Sequence, residues 1–127
     1  MSEFLRTVFY QKHLDLAAQM VEFGGWEMPI QYPEGIINEH MATGQAAGIF
    51  DVSHMGRLYF RGKDSLPFLQ HVLTNNAAAL KVGESQYTLI QNEAGGAIDD
   101  AYLYRFRPDE FLLAVNASNR EKDVAHF

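Results

Sequence analysis

Apolar residues recur along the chain with two different periods, and the change from one to the other divides it near residue 50. In residues 8–18, Phe9, Leu14 and Leu16 to Ala18 are spaced by polar positions, which predicts an amphipathic helix with Thr7 as its N-cap. Residues 20–23 read as a short strand. Residues 24–29 read as a loop carrying the single tryptophan, Trp26, and residues 32–35 as a second turn. Ile36, Ile37, His40, Met41 and Ala47 share a helical spacing, so residues 36–47 are expected to form a helix stopped by Gly48. Gly44 inside it costs about 1 kcal/mol relative to alanine.

From Gly56 the period shortens to two: Leu58 and Phe60 face away from Arg57, Tyr59 and Arg61. Asp64 is placed to cap a helix over 65–73, with Leu66, Leu69 and Val72 or Leu73 on one side. Strands are expected near 85–91, 98–106 and 110–116, and the Arg107-Pro108-Asp109 turn makes the last two an antiparallel hairpin. Ser118 and Glu121 have capping-box spacing, so a final helix is expected to start there. The sequence ends about nine residues later, with Val124, Ala125 and Phe127 lacking a following element to cover them, and is expected to be truncated. The fold class is α+β, an antiparallel sheet with flanking helices, in two segments, 1–50 (helix-strand-helix) and 51–127.

Composition narrows the function. The 127 residues are 47% hydrophobic and 20% charged, which suits a globular domain and leaves no transmembrane run. A net charge of −6 argues against nucleic acid and anionic membranes as partners. The chain has no cysteine, so thiolate chemistry is excluded; its five histidines lack metal-ligand spacing, and no metal is expected. The N-terminal residues resemble neither a secretion signal nor a transit peptide, so a cytoplasmic location is expected.

Two stretches concentrate chemically capable side chains. Gly95-Gly96-Ala97-Ile98-Asp99-Asp100 puts two carboxylates where a turn opens into a strand. Asp100, packed against apolar neighbours such as Ile98, is the better candidate for binding a ligand N–H, with Asp99 on the opposite face. From spacing alone, both acids are equally readable as solvated turn residues. In Phe50-Asp51-Val52-Ser53-His54-Met55-Gly56, adjacency does not make a catalytic triad. Asp51 and Ser53 are instead expected to satisfy backbone amides and His54 to bond locally, with Met55 offering a polarisable surface to a flat ligand. Tyr87, Tyr102 and Tyr104 suit sheet packing or a ligand platform, and Asn116 a ring edge or a turn cap.

These two motifs, with Phe23-Gly24-Gly25-Trp26-Glu27-Met28-Pro29, Gly35-Ile36-Ile37, Glu39-His40, Val115-Asn116-Ala117 and Arg120-Glu121-Lys122-Asp123, occur in the order seen in the aminomethyltransferase (T-protein) family of the glycine cleavage system, which the chain resembles from end to end. The resemblance implies the N-terminal portion of a larger, three-lobed enzyme. That enzyme takes an aminomethyl group from its lipoylated carrier, the H-protein, and passes the carbon to tetrahydrofolate, releasing ammonia. It implies Asp100 as the catalytic acid contacting the pterin, and Met55, Tyr87 and Asn116 as folate contacts. Tyr102, where the family commonly has a smaller aliphatic residue, falls on the pocket wall, and Gly44 replaces a usual arginine. Such a fragment is expected to be inactive alone. The alternatives are a noncatalytic folate-binding module, related to iron-sulfur assembly factors or to folate domains of amine dehydrogenases, and a purely structural interaction domain.

Overall fold

Gly24 (φ 58°) and Gly25 (φ 85°) occupy left-handed backbone that other residues enter at a cost, and they close a tight hairpin. Its arms are β2 (Gln19–Phe23) and β3 (Trp26–Gln31), so Trp26 opens a strand rather than lying in a loop. The two-residue strand β1 (Leu5–Arg6) adds to the other edge of β3, in parallel, at Trp26 and Glu27. Pro29 is tolerated in β3 because β1 ends before reaching it. The computed structural model describes residues 4–127, arranged as two units, the first ending at His54 and the second spanning Met55–Phe127.

In the first unit the sheet is joined by α1 (Tyr10–Asp15) and α2 (Ile36–Gln45). Helix α1 is shorter than the 8–18 expected from periodicity, and its N-cap is Phe9. Thr7 Oγ1 still accepts the Phe9 amide (3.3 Å) but donates its own proton to Asp51 (2.6 Å), so its strongest bond is tertiary. Helix α2 stops at Gln45, with Ala46 rather than Gly48 at its C-cap, and none of its residues is buried.

The second unit is a four-stranded antiparallel sheet in the order β4 (Gly56–Arg61), β7 (Glu110–Val115), β6 (Ala97–Arg107), β5 (Ser85–Gln91). The α+β class read from the periodicities is the one observed, including the β6–β7 hairpin. One face is the core: Ile90, Ala101, Leu103, Phe111, Leu113 and Val115 pack against Leu69 and Leu73, from α3 (Ser65–Val72) and the residue after it, and against Ala77 and Leu80. Asp64 precedes α3 but makes no side-chain capping bond. The short terminal helix α4 (Arg120–His126) begins at Arg120, not at the expected capping box, because the Asn119 side chain is spent on Asp99 (2.7 Å). Phe127 is not left bare as expected: it packs edge-on against Phe60 and Phe68, with ring centroids 5.8 Å away in each case.

Gly56 is required by close approach. A Cβ there would lie 2.5 Å from Val115 Cγ2 and 2.9 Å from Arg120 Cγ. Gly56→Ala is therefore expected to lower unfolding stability by about 1–3 kcal/mol through overpacking, and Phe111→Ala by about 3–5 kcal/mol through cavity formation. Denaturant unfolding followed by tryptophan-independent far-UV circular dichroism checks both.

Candidate functional site

Strand alternation sorts the adjacent acids of β6 onto opposite faces of the second sheet. Asp99 joins the core face and is 6% exposed, while Asp100 stands on the open face. Asp100 is therefore not sheltered by apolar packing as expected; the carboxylate removed from water is Asp99.

The open face gathers every candidate contact. Tyr87 on β5 lies directly opposite Tyr102 on β6, both largely exposed, and Asp100 follows on the same strand face. Tyr104 continues the row, its ring centroid 5.4 Å from that of Tyr102. Asn116 leaves the end of β7, where register places Val115 against both Ala101 and Gly56. Half-buried Met55 immediately precedes Gly56, on the same alternation as exposed Arg57 and Tyr59. Met55, Tyr87, Asp100, Tyr102 and Asn116 thus come from four chain segments to one side and one end of the sheet.

Asn116 links the two acids. Its Nδ2 donates to Asp100 Oδ1 (2.6 Å) and to Asp99 Oδ1 (2.9 Å), and its backbone N–H donates to Asp99 Oδ2 (3.2 Å). Only the amino end of the side chain can meet two carboxylates, which fixes the orientation of the amide. Asn119 Nδ2 gives Asp99 a further bond of 2.7 Å. Burial alone would raise the Asp99 carboxyl, but the bonds from Asn116, Asn119 and Asp123 outweigh it and hold the group below its ordinary range. The Tyr87 hydroxyl is raised by partial desolvation and by the neighbouring Asp100 charge.

Asp123 on α4 has the opposite balance. It is fully buried, and neither of its carboxyl oxygens receives an N–H or O–H donor. Burial, then the hydrogen bond and charge of Asp99, push its carboxyl up to about 7, with Lys122 opposing.

A second polar cluster, missed by the sequence reading, lies inside the first unit. Asp51 Oδ2 accepts Thr7 Oγ1 (2.6 Å) and His13 Nε2 (2.9 Å), and Asp51 Oδ1 accepts the Ser53 amide (2.9 Å), as expected for that motif. His13 Nδ1 meets Tyr32 Oη at 2.8 Å. Its members are scattered from Thr7 to Asp51, so no local spacing announces it. His54, expected to bond locally, instead lies edge-on to Phe23 and Trp26, with Nδ1 buried and unpaired.

Desolvation opposes ionisation of Asp51, but its bonds from Ser53, Thr7 and His13 prevail and depress the carboxyl far below the ordinary range. A depressed acid stabilises the fold above its unfolded pKa and loses that contribution as pH falls. Asp51→Asn is expected to lower the thermal midpoint at pH 7, with the gap to the parent narrowing progressively below about pH 4. Thermal melts across pH 2–7 check the sign.

The open face suits a flat, nitrogen-rich ligand. Asp100 retains acceptor capacity beyond its bond to Asn116, and the tyrosines offer broad π surfaces. Among the described residues no cluster of three or more His, Asp or Glu could hold a metal ion, and no helix is long and apolar enough to cross a membrane.

Comparison with known proteins gives these residues a family. The chain is 50% identical over 121 residues to an aminomethyltransferase of Thermus thermophilus, matching 95% of this chain and 34% of that protein. It is 51% identical over 117 residues to an aminomethyltransferase of Bacteroides fragilis, matching 92% of this chain and 32% of that one. Its fold superposes on the crystal structure of glycine cleavage system aminomethyltransferase T from Bartonella henselae with a TM-score of 0.93 and 37% identity, covering 98% of this chain and 34% of that structure. The chain thus spans about a third of the length of the relatives it matches. Residues 9–127 match the family model described as the GCVT N-terminal domain, and the chain belongs to that aminomethyltransferase family of the glycine cleavage system.

Proposed function

We propose that this chain forms the N-terminal part of a tetrahydrofolate-dependent aminomethyltransferase acting in the cytoplasm. The observation that carries the reading is the convergence of Met55, Tyr87, Asp100, Tyr102 and Asn116, distant in sequence, on one open sheet face, with Asp100 gripped by Asn116. The carrier is a lipoylated H-protein, and the acceptor is tetrahydrofolate.

The overall reaction breaks the carbon–sulfur bond to the lipoyl arm and the carbon–nitrogen bond to the departing amine, and forms two carbon–nitrogen bonds to the folate. The two folate N–H protons end on the thiol and on ammonia, so no oxidant or metal is consumed.

Asp100 accepts a hydrogen bond from the pterin side of the folate, orients the attacking nitrogen and stabilises positive charge as ammonia leaves. Asn116 holds that carboxylate in one rotamer. Tyr87 and Tyr102 form the wall against which the flat ring lies, and Met55 fills the remaining apolar contact. Domain limits near residue 50 place this machinery in the second segment, 51–127.

Asp100→Asn keeps the size but removes the negative charge. Assayed in a chain extended to the full length of its relatives, it is expected to lower kcat by about a hundredfold or more while changing KM less. Wild-type turnover in that variant would overturn the assignment of Asp100. The 127-residue chain alone is expected to release no ammonia from aminomethylated H-protein. A full-length chain that binds tetrahydrofolate but transfers nothing would be a noncatalytic folate module.

A further inference from the structure

We infer that Asp123 is a positioning residue for the Asp100 site: as a neutral acid on α4 it donates its proton to Asp99, which in turn fixes the Asn116 amide that grips Asp100. Its consequence for turnover rests on the reading of Asp100 given above, whereas its structural content does not.

The argument starts from what each carboxyl receives. Asp99 takes three bonds from the Asn116 and Asn119 amides, which suit a carboxylate. Asp123 is 0% exposed and is offered no N–H or O–H donor at either oxygen. An ionised carboxylate so placed would carry an uncompensated charge in a low-dielectric site against a second negative charge. One proton between the two acids removes both costs, and it belongs on Asp123, because Asp99 already has its donors. The Asp123 hydroxyl then becomes the donor to Asp99.

The charged groups on the surrounding elements do not supply an alternative. Arg120 pairs with Glu121 at 3.3 Å on α4, Lys122 Nζ donates to the Ile98 carbonyl at 2.6 Å, and His126 meets the Gln91 carbonyl at 3.0 Å. Lys122 acts on Asp123 only through its charge, and on β6 the carboxylate meeting Asp123 is Asp99, with Asp100 turned to the open face. Three residues are thereby coupled in series. Loss of the Asp123 proton would set two like charges together, pull Asp99 off the Asn116 amide and release the rotamer of Asp100.

The direct test is a carboxyl-carbon NMR titration of the 127-residue chain labelled at aspartate. Asp123 is expected to keep its proton through the range where surface aspartates ionise, titrating near 7, with the Asn116 side-chain amide resonances moving in the same step. Titration of Asp123 near the ordinary aspartate value of about 4 would overturn the proposal, whatever the variants do. In a chain extended to the relatives' full length, kcat is expected to fall on the alkaline side of that step. Asp123→Ala should cut kcat about tenfold at every pH. Asp123→Asn, which keeps a donor but cannot ionise, should recover most of that loss and abolish the alkaline fall. An unchanged alkaline fall in Asp123→Asn would also overturn it. If Asp123→Ala does not fold, the titration and the asparagine variant still decide. Full turnover in Asp100→Asn together with the expected NMR step would refute the role of Asp100 alone and leave the proton relay standing.

Discussion

The second unit hangs on the alternation of β6 at a single pair of residues. Because neighbouring strand positions face opposite ways, Asp99 must enter the core side when Asp100 faces out, and a polar group carried inward has to be satisfied there. The chain answers with Asn116 and Asn119, both from the segment that leaves β7 for α4. That solution ties the β7–α4 corner to β6, displaces Asn119 from its capping duty, and leaves Asp123 facing a carboxylate. A one-residue slip in β6 would exchange the two acids and undo all three arrangements.

What could be read in advance follows from how local each signal is. The β6–β7 hairpin was legible because a Pro-containing turn separates two runs of strict period two, and the strand limits differ from those observed by a residue or so. The same reading failed at Trp26. There Gly24, Gly25 and Pro29 all signal irregular backbone, yet two of them make a hairpin turn and the third sits beyond the reach of a two-residue neighbour. Helix ends were misjudged where side chains with good capping chemistry found stronger partners far away. Thr7 bonds Asp51, and Asn119 bonds Asp99.

The site divides along the same line. Alternation already separated Asp99 from Asp100, and the family motifs singled out Tyr87 and Asn116, but no pattern in one strand shows that Asn116 bridges both acids. The Thr7, His13, Tyr32 and Asp51 cluster was invisible because its bonds close over sequence separations of 19 to 44 residues. Asp123 sits in what reads as an ordinary charged helix face, and only the packing of α4 reveals it as an interior acid.

Helix α2 brings a consequence of another kind. It buries no residue, contains Gly44 and is ten residues long, so its backbone bonds cannot sustain it by propensity alone. Its firm tether is the Glu39 carboxylate, which accepts the Tyr32 amide at 2.7 Å. Such a segment belongs to the low end of the molecule's range of opening free energies, well below the sheet core. Its amides would exchange with solvent deuterium through local fraying, long before the strands exchange through whole-chain unfolding.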